Sequence, residues 1–416
     1  MSPIETGARA PSSAPEQAPD SAPERVVSNA GSDLRRRLEL TGLGQTGHPA
    51  VCGLVARVGA TASVATLLGT DPSAPTLGRF ARRLPEAIAE VDEQLRAAAA
   101  VRARYVCPGD PHWPLELDVL ADAGVQGGHG GPPIGLWVRG RLEALTELTG
   151  AAAVAVVGSR AATDYGLYVA GELGAGLADR GLRVVSGAAY GIDGAAHRGA
   201  LAAGGVTVAV LAGGVDVAYP RSNAGLLERI VDSGGAVVSE APLGAQATRR
   251  AFLARNRLIA ALCRGTVVVE AAIRSGTTST AGWADRCSRH VMAVPGPVTS
   301  ALSAGTHRWI RDRNAVLVTD AVDVLRVVGD LGTEPEDDSG FGSGSGDPRD
   351  RLSLAGAAVL DALPQRRSVE LAELAAATGL TVAAVLARLT ELDVAGLVRR
   401  TPQGWTATPA GVPGPS

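Results

Sequence analysis

No lysine occurs among the 416 residues; all 39 basic side chains are arginine. That excludes Schiff-base chemistry on a lysine, anchoring of pyridoxal phosphate and the lysine of a Walker A loop. Each of these needs an amine that can lose its proton or act as a compact point charge. What remains is a planar, always-charged fork suited to phosphates and to stacking. Cysteine is nearly as scarce. Cys52, Cys107, Cys263 and Cys287 stand far apart with no C-x-x-C pair, which argues against a zinc ribbon or a disulfide framework and fits reduced thiols in a cytoplasmic protein. Residues 1–30 are rich in Pro, Ser and Ala and carry no apolar h-region, so no signal peptide is read there. The uncharged run Gly199–Val215 is broken by glycines and bounded by Arg198 and Asp216. A buried strand with its turns explains it better than a membrane span, and no membrane partner is expected.

Apolar residues make up 46% and charged residues 19% of the chain, so a sizeable core is expected and wholesale disorder is excluded. Residues 1–30 read as a disordered tail. Residues 31–105 read as a small helical (SAM/HhH-like) domain, with Leu34, Leu38, Leu54, Val55, Val58, Leu67 and Leu68 at helical spacing. Residues 106–330 read as a Rossmann-like α/β domain. The run 134–138 suits an edge strand, and from 151 onward short β-branched runs alternate with helix-period stretches. Seven expected strands with interleaved helices form the pattern of a doubly wound parallel sheet. Residues 331–350, with Glu336, Asp337, Asp338 and the run FGSGSG, have the composition of an acidic Gly/Ser linker. Residues 351–410 read as two helices joined at Gly379 and a hairpin-like tail, a winged-helix-like domain.

Charge is distributed unevenly. Residues 1–150 hold 14 Arg against 17 acids, residues 151–330 hold 18 against 14, and residues 331–416 hold 7 against 11. Between Gln246 and His290 eight arginines face only Glu270 and Asp285. Such a local excess is the footprint of a polyanion-binding face.

The strand ends of the α/β domain carry the motifs. Gly158-Ser159-Arg160 ends the first parallel strand, where a glycine admits a close ligand and a following helix N-terminus favours an anion. It lacks the full G-x-G-x-x-G and suits a phosphate or a single nucleotide rather than a pyrophosphate. Ser186-Gly187 begins a second glycine turn, with Asp193 and His197 beyond it. These last two read as helix-ordering and buried hydrogen-bonded residues, rather than an acid–base pair, because no third group at triad-like spacing accompanies them. Arg221 follows Tyr219-Pro220 after the third strand. Arg249, Arg250, Arg255, Asn256 and Arg257 cluster with Phe252 at a helix start, where two guanidiniums flanking an amide suit phosphates and a base edge. Equally, one of these arginines suits a buried ion pair with Glu240 or Glu270. Ser275-Gly276-Thr277 opens a further helix as an anion cradle. Each loop alone is a weak signal. Together, at the carboxyl ends of parallel strands, they point to a phosphate-rich ligand.

At these residues the sequence resembles the DNA-processing protein A (DprA/Smf) family. The ordered set VGSR at 157–160, SGAAYGIDGAAHRGAL at 186–201, YPRSN at 219–223, FLARNRLIAAL at 252–262, VVEAAIRSGTTSTA at 268–281 and AVPGPV at 293–298 carries the likeness. The resemblance implies an extended Rossmann fold that binds single-stranded DNA, forms a homodimer, needs no cofactor, and hands the strand to the RecA recombinase during natural transformation without turning it over. It implies a nucleotide-receiving role for Arg160, and basic contacts at Arg221 and at Arg249 or Arg250. Three departures stand out. Tyr190 replaces a basic or small residue. The upstream Tyr-Pro segment is present only as Cys107-Pro108 and Trp113-Pro114. The helix 382–392 offers just Arg388, which is poor for reading a DNA groove and suits a protein-contact or regulatory module. The rival reading is a nucleotide-processing enzyme of the phosphoribohydrolase type on the same fold. That chemistry needs a glutamate three residues after Thr277, where this chain has Thr280. A transcription regulator acting through the winged helix is a third reading, weakened by the same shortage of basic residues.

Overall fold

The computed structural model describes residues 22–408 except 45, 151–152, 274, 330–351, 353 and 365–366. Residues 1–21 of the stretch read as a tail (1–30) and the whole acidic linker (331–350) therefore lie outside the described residues, as does Arg274 of the basic run. The chain divides into two compact units, residues 1–333 and 334–416.

Three helices lead the first unit: α1 (Ala22–Gly42), α2 (Pro49–Leu68) and α3 (Gly78–Ala100). α1 begins inside the stretch read as a tail, because the proline density that suggested disorder ends at Pro23, where a proline is tolerated in the first turn. α2 is long and apolar enough to cross a membrane by length and composition. It bends at Gly59, whose φ is 78°, and it buries Val51, Leu54, Val64 and Leu67 against Leu40, Leu84 and Ile134 of its neighbours. α3 presents Phe80, Leu84, Ala87 and Val91 at spacings of three and four, the stripe of an amphipathic helix.

The sheet then begins with β1 (Ala103–Val106), three residues earlier than the expected boundary at 106, and continues after a small hairpin of β2 (Val125–Gln126) and β3 (His129–Gly130) into β4 (Leu136–Gly140) and α4 (Glu143–Gly150). Strand and helix alternate thereafter as β5 (Ala153–Val157), α5 (Asp164–Asp179), β6 (Arg183–Ser186), α6 (Ile192–Ala202), β7 (Thr207–Val210), α7 (Ala224–Asp232), β8 (Ala236–Ser239), α8 (Arg249–Ala261), β9 (Gly265–Val268), α9 (Thr277–Arg286), β10 (His290–Ala293), α10 (Ala304–Arg313), β11 (Val316–Leu317) and α11 (Ala321–Val328). The strand order is β1-β4-β8-β7-β6-β5-β9-β10-β11. The seven strands from β8 to β11 run parallel, whereas β4 is antiparallel to both β8 and β1. The run expected as an edge strand is thus one position in from the edge, because β1 covers it. Side-chain alternation sends Val154 and Val156 to one face and Ala155 and Val157 to the other. α5 and α6 cover the first face, and α8 and α9 the second.

The helical segment is not a separate body. Leu38, Val91 and Ala98 share one core with Tyr105, Trp137, Leu227 and Ile230. A polar tie joins the same parts. Arg257 of α8 is wholly buried, and its Nη2 donates to Glu240 Oε1 at 2.8 Å. Its Nε donates to the Gly131 carbonyl at 3.0 Å, and Gly47 N donates to the same glutamate oxygen at 3.3 Å.

The second unit contains α12 (Leu354–Asp361), α13 (Leu371–Thr378), α14 (Val382–Val394) and the hairpin β12 (Val398–Thr401)–β13 (Gly404–Ala407). Gly379 closes α13 in the left-handed region, the conformation for which glycine is preferred after a helix. Leu374, Val385, Leu389, Leu392 and Trp405 form the core of this winged helix-turn-helix.

The buried ion pair generates a stability prediction. Replacing Glu240 by Ala leaves the Arg257 charge buried and unpaired, at a cost of about 3–5 kcal/mol. The double replacement Glu240→Ala, Arg257→Met should recover much of that loss. Denaturant midpoints measure both, and equal destabilisation of the single and double variants would overturn the assignment.

Candidate nucleic-acid interface

The strand order reverses between β5 and β9, so a crevice opens at their carboxyl ends. Short bonds hold its loops. Ser159 N donates to the Glu270 carbonyl at 2.8 Å, and the Glu270 carboxylate accepts from Thr163 N at 2.9 Å and Thr163 Oγ1 at 2.6 Å. Thr163 in turn caps α5. Glu270 is therefore the brace between the two strand ends, and the buried arginine partner is Glu240. A cavity of about 550 Å³ lies over the crevice.

Its floor is polar and compensated. Asp193, in the first turn of α6, is buried, and burial raises its carboxyl above the ordinary range against the opposing pull of the Arg255 charge and the nearby backbone N–H groups of Ala189 and Gly158. Burial likewise pulls the Arg255 guanidinium down to about 10. Arg255 is anchored by its Nη1, which donates to the Val210 carbonyl. Gly187 makes the room: a Cβ there would stand 2.1 Å from that nitrogen. Gly158 is required in the same way, since a Cβ would meet Ile192 of α6 at 2.4 Å.

One wall is aromatic. The Arg160 guanidinium lies over the Phe252 ring, 4.2 Å from its centroid, and the Tyr219 ring lies 5.3 Å from that of Phe252, tilted by 55°. Tyr219 is 46% exposed. The other wall is Ser275, Gly276 and Thr277 at the start of α9, where Ser275 Oγ accepts from Thr277 N and Asn256 Nδ2 donates to the Gly276 carbonyl. Arg249 stands on the rim. Arg160 and Arg249 are exposed, and neither has an ion pair among the described residues. The free positive charge of the site is theirs.

Of the residues expected from sequence, the structure brings together Gly158, Ser159, Arg160, Arg249, Arg255, Asn256, Ser275, Gly276 and Thr277. It does not bring in the others. Ser186 is buried and donates to the Val156 carbonyl, and Gly187 lies under Arg255. Arg257 is buried in its ion pair, so it cannot meet a ligand. Arg221 is exposed on the neighbouring loop, outside the cavity lining. Arg250 lines a different cavity. Sequence reasoning noted Phe252 beside these arginines and Tyr219 before Arg221 without assigning either to the site, and it did not place Asp193 or Thr280 in the lining. The signal for Phe252 was available: positions 252, 255, 256 and 259 share one helical face, and 250, 254 and 257 another. His197 is wholly buried, bonded through Nδ1 to Thr207 Oγ1 at 2.7 Å, and burial holds its imidazole down at about 3. It is no acid–base partner for Asp193. Thr280, where the enzymatic reading needs a glutamate, lines the cavity as a hydroxyl.

The sequence profile described as DNA recombination-mediator protein A matches residues 104–329, which include every strand of this crevice. The chain belongs to the DNA-processing protein A (DprA/Smf) family. A profile for the family's winged helix domain matches residues 345–404. The chain is 46% identical over 312 residues to the putative DNA processing protein DprA of Mycobacterium tuberculosis, covering 74% of this chain and 78% of that one. It is 41% identical over 216 residues to the DNA processing protein DprA of Streptococcus pneumoniae, covering 52% and 71%. The X-ray structure of the pneumococcal protein superposes with a TM-score of 0.56 at 32% identity, covering 70% of this chain and 95% of that one. The fold is the family's extended Rossmann-like sheet with a winged helix.

In this family member the stack of Arg160 on Phe252 is the feature to test. Arg160→Ala should weaken single-stranded DNA binding by ~1–3 kcal/mol while leaving the melting temperature in place, because the side chain is exposed. Fluorescence anisotropy with an oligothymidylate measures it. Wild-type affinity in that variant would remove Arg160 from the interface.

Proposed function

We propose that the chain binds single-stranded DNA across the β5–β9 crevice without chemically altering it, and passes it to the RecA recombinase in natural transformation and recombination. The observation that carries this reading is the juxtaposition of two unpaired guanidiniums, Arg160 and Arg249, with the Tyr219–Phe252 aromatic pair over a helix N-terminus. Guanidiniums and backbone amides hold phosphates of any sequence. Aromatic faces accept any base by stacking. A base can reach such a face only when it is unpaired, which selects single strands over duplex. The site residues assigned to this contact are Gly158, Ser159, Arg160, Arg249, Ser275, Gly276 and Thr277. Arg255 and Asn256 shape the floor, and Arg221 extends the basic rim.

Binding rather than turnover is supported by the state of the candidate acids and bases. Asp193 is buried beside the charge of Arg255, and His197 is wholly buried. Family membership supports delivery to a recombinase. A homodimer is supported by the sheet edge at β11, where Val316 and Leu317 stand 43% and 48% exposed. Cytoplasmic residence is supported by four buried cysteines, none of them in a disulfide. The winged helix unit suits protein contact. Arg388, the cation of α14, is already bonded to Glu391 at 2.8 Å.

Titrating single- and double-stranded oligonucleotides across a salt series tests the reading. Single strands should bind more tightly than duplex, with log affinity falling linearly in log salt at about 0.7 per phosphate neutralised. A flat salt response, or equal affinity for both forms, contradicts it.

A further inference from the structure

Arg249 and Arg250 are neighbours at the start of α8 and serve different cavities. Arg249 borders the crevice, whereas Arg250 lines a second cavity of about 270 Å³ between α8 and the N-terminal helices. The same cavity is lined by Arg79 and Arg83, one turn apart on α3, together with His48, Thr46 and His129. Among the described residues, no acidic side chain lines it. Arg79, Arg83 and Arg250 are all exposed, and none has an ion pair among the described residues.

The placement is unfavourable for an empty protein. Arg79 and Arg83 stand at i and i+4 on one helix, where like charges repel. Arg250 lies in the first turn of α8, where the helix dipole disfavours a cation, and that turn holds no acid to offset it. His129 is only 4% exposed, and its buried Nδ1 has no hydrogen-bond partner. Burial and the charges of Arg250 and Arg257 hold this imidazole below its ordinary range. Three guanidiniums without ion pairs among the described residues, around one cavity with no acidic lining, make a receptor for a compact polyoxygen anion.

We propose that this cavity binds a backbone phosphate of the same DNA strand that enters the crevice, so that the helical segment 31–105 forms part of the strand interface. The proposal rests on the reading of the crevice as the strand site. α8 separates the two cavities, and its first turn supplies one arginine to each. A strand crossing that turn meets Arg249 on one side and Arg250, Arg79 and Arg83 on the other. Phe80, 5% exposed beneath Arg79 at 4.5 Å, holds that guanidinium in place.

The experiment compares the wild-type full chain, Arg160→Ala and the double variant Arg79→Ala, Arg83→Ala. Each is titrated with a long oligothymidylate and with a trinucleotide across a salt series, and with inorganic phosphate by calorimetry. The double variant should bind the long strand several-fold more weakly, with a salt slope reduced by about 0.7 for each phosphate it no longer holds. Its binding of the trinucleotide should match wild type, while Arg160→Ala weakens both ligands. An unchanged long-strand affinity and slope in the double variant, with Arg160→Ala still weakened, overturns this proposal alone. Phosphate binding that the double variant loses while keeping its strand affinity makes the cavity a small-anion site and also overturns it. A wild-type chain that binds no oligothymidylate brings down both readings.

Discussion

The Arg257–Glu240 pair is the constraint on which the rest of the site depends. It joins α8 to the end of β8, and through Gly47 and Gly131 it fastens the helical segment and the 124–135 loop to the same point. Cys52 on α2 lies close to the same guanidinium, and the two side chains interact electrostatically. A buried ion pair adds little net stability compared with a well-packed apolar pair, because desolvation offsets the attraction. Its value lies in direction. One planar fork bonded across to both Glu240 and Gly131 restrains the rotation of α8 about its axis. That restraint aims the face with Phe252, Arg255 and Asn256 at the crevice.

The arginine-only composition takes on meaning at that helix. The single stretch 249–257 uses the guanidinium in three ways. Arg257 is a planar hub among several acceptors. Arg255 is a buried counter-charge to Asp193. Arg249 and Arg250 are exposed cations at the wrong end of a helix dipole. Arg160, from another loop, lies over the ring of Phe252. An ammonium is more strongly hydrated and has no planar face, so it would serve the hub and the stack poorly. The absence of lysine, which excluded amine chemistry at the outset, is therefore compatible with a charged binding face that also has buried members.

Much of the architecture was legible in the sequence because parallel strands are buried on both faces and write themselves as short β-branched runs. The seven parallel strands fall on those runs. The glycine, serine and arginine loops fall at their carboxyl ends, where a doubly wound sheet collects ligands. What was not legible concerns contacts between distant segments. β1 hides behind the helical α3 and has four residues, too few for a periodicity to separate it from the helix before it. α1 begins in a stretch whose proline content suggested disorder, since composition does not tell a helix's first turn from a coil. The basic run from 246 to 290 promised one face, yet Arg257 points inward, Arg255 lies under the floor and Arg250 turns away. Charge counting registers how many arginines there are, while the helical period decides which way each one faces.

That division explains why the site has the form it does. A surface that must hold a strand of any sequence cannot use base edges, so it needs phosphate contacts for affinity and aromatic faces for the bases. Phosphate contacts require cations that are not already neutralised. Cations left free in the folded protein repel one another, and the fold must be held against that repulsion by something else. Here the compensated members of the arginine set, Arg257 with Glu240 and Arg255 with Asp193, supply rigid internal bonds. The uncompensated members, Arg160 and Arg249, stand on the surface those bonds position. Tyr219 and Phe252 complete the surface without adding charge. The same helix thus carries both the restraint and the ligand-facing groups, and a change that loosens Arg257 should disturb ligand binding even though it never touches the ligand.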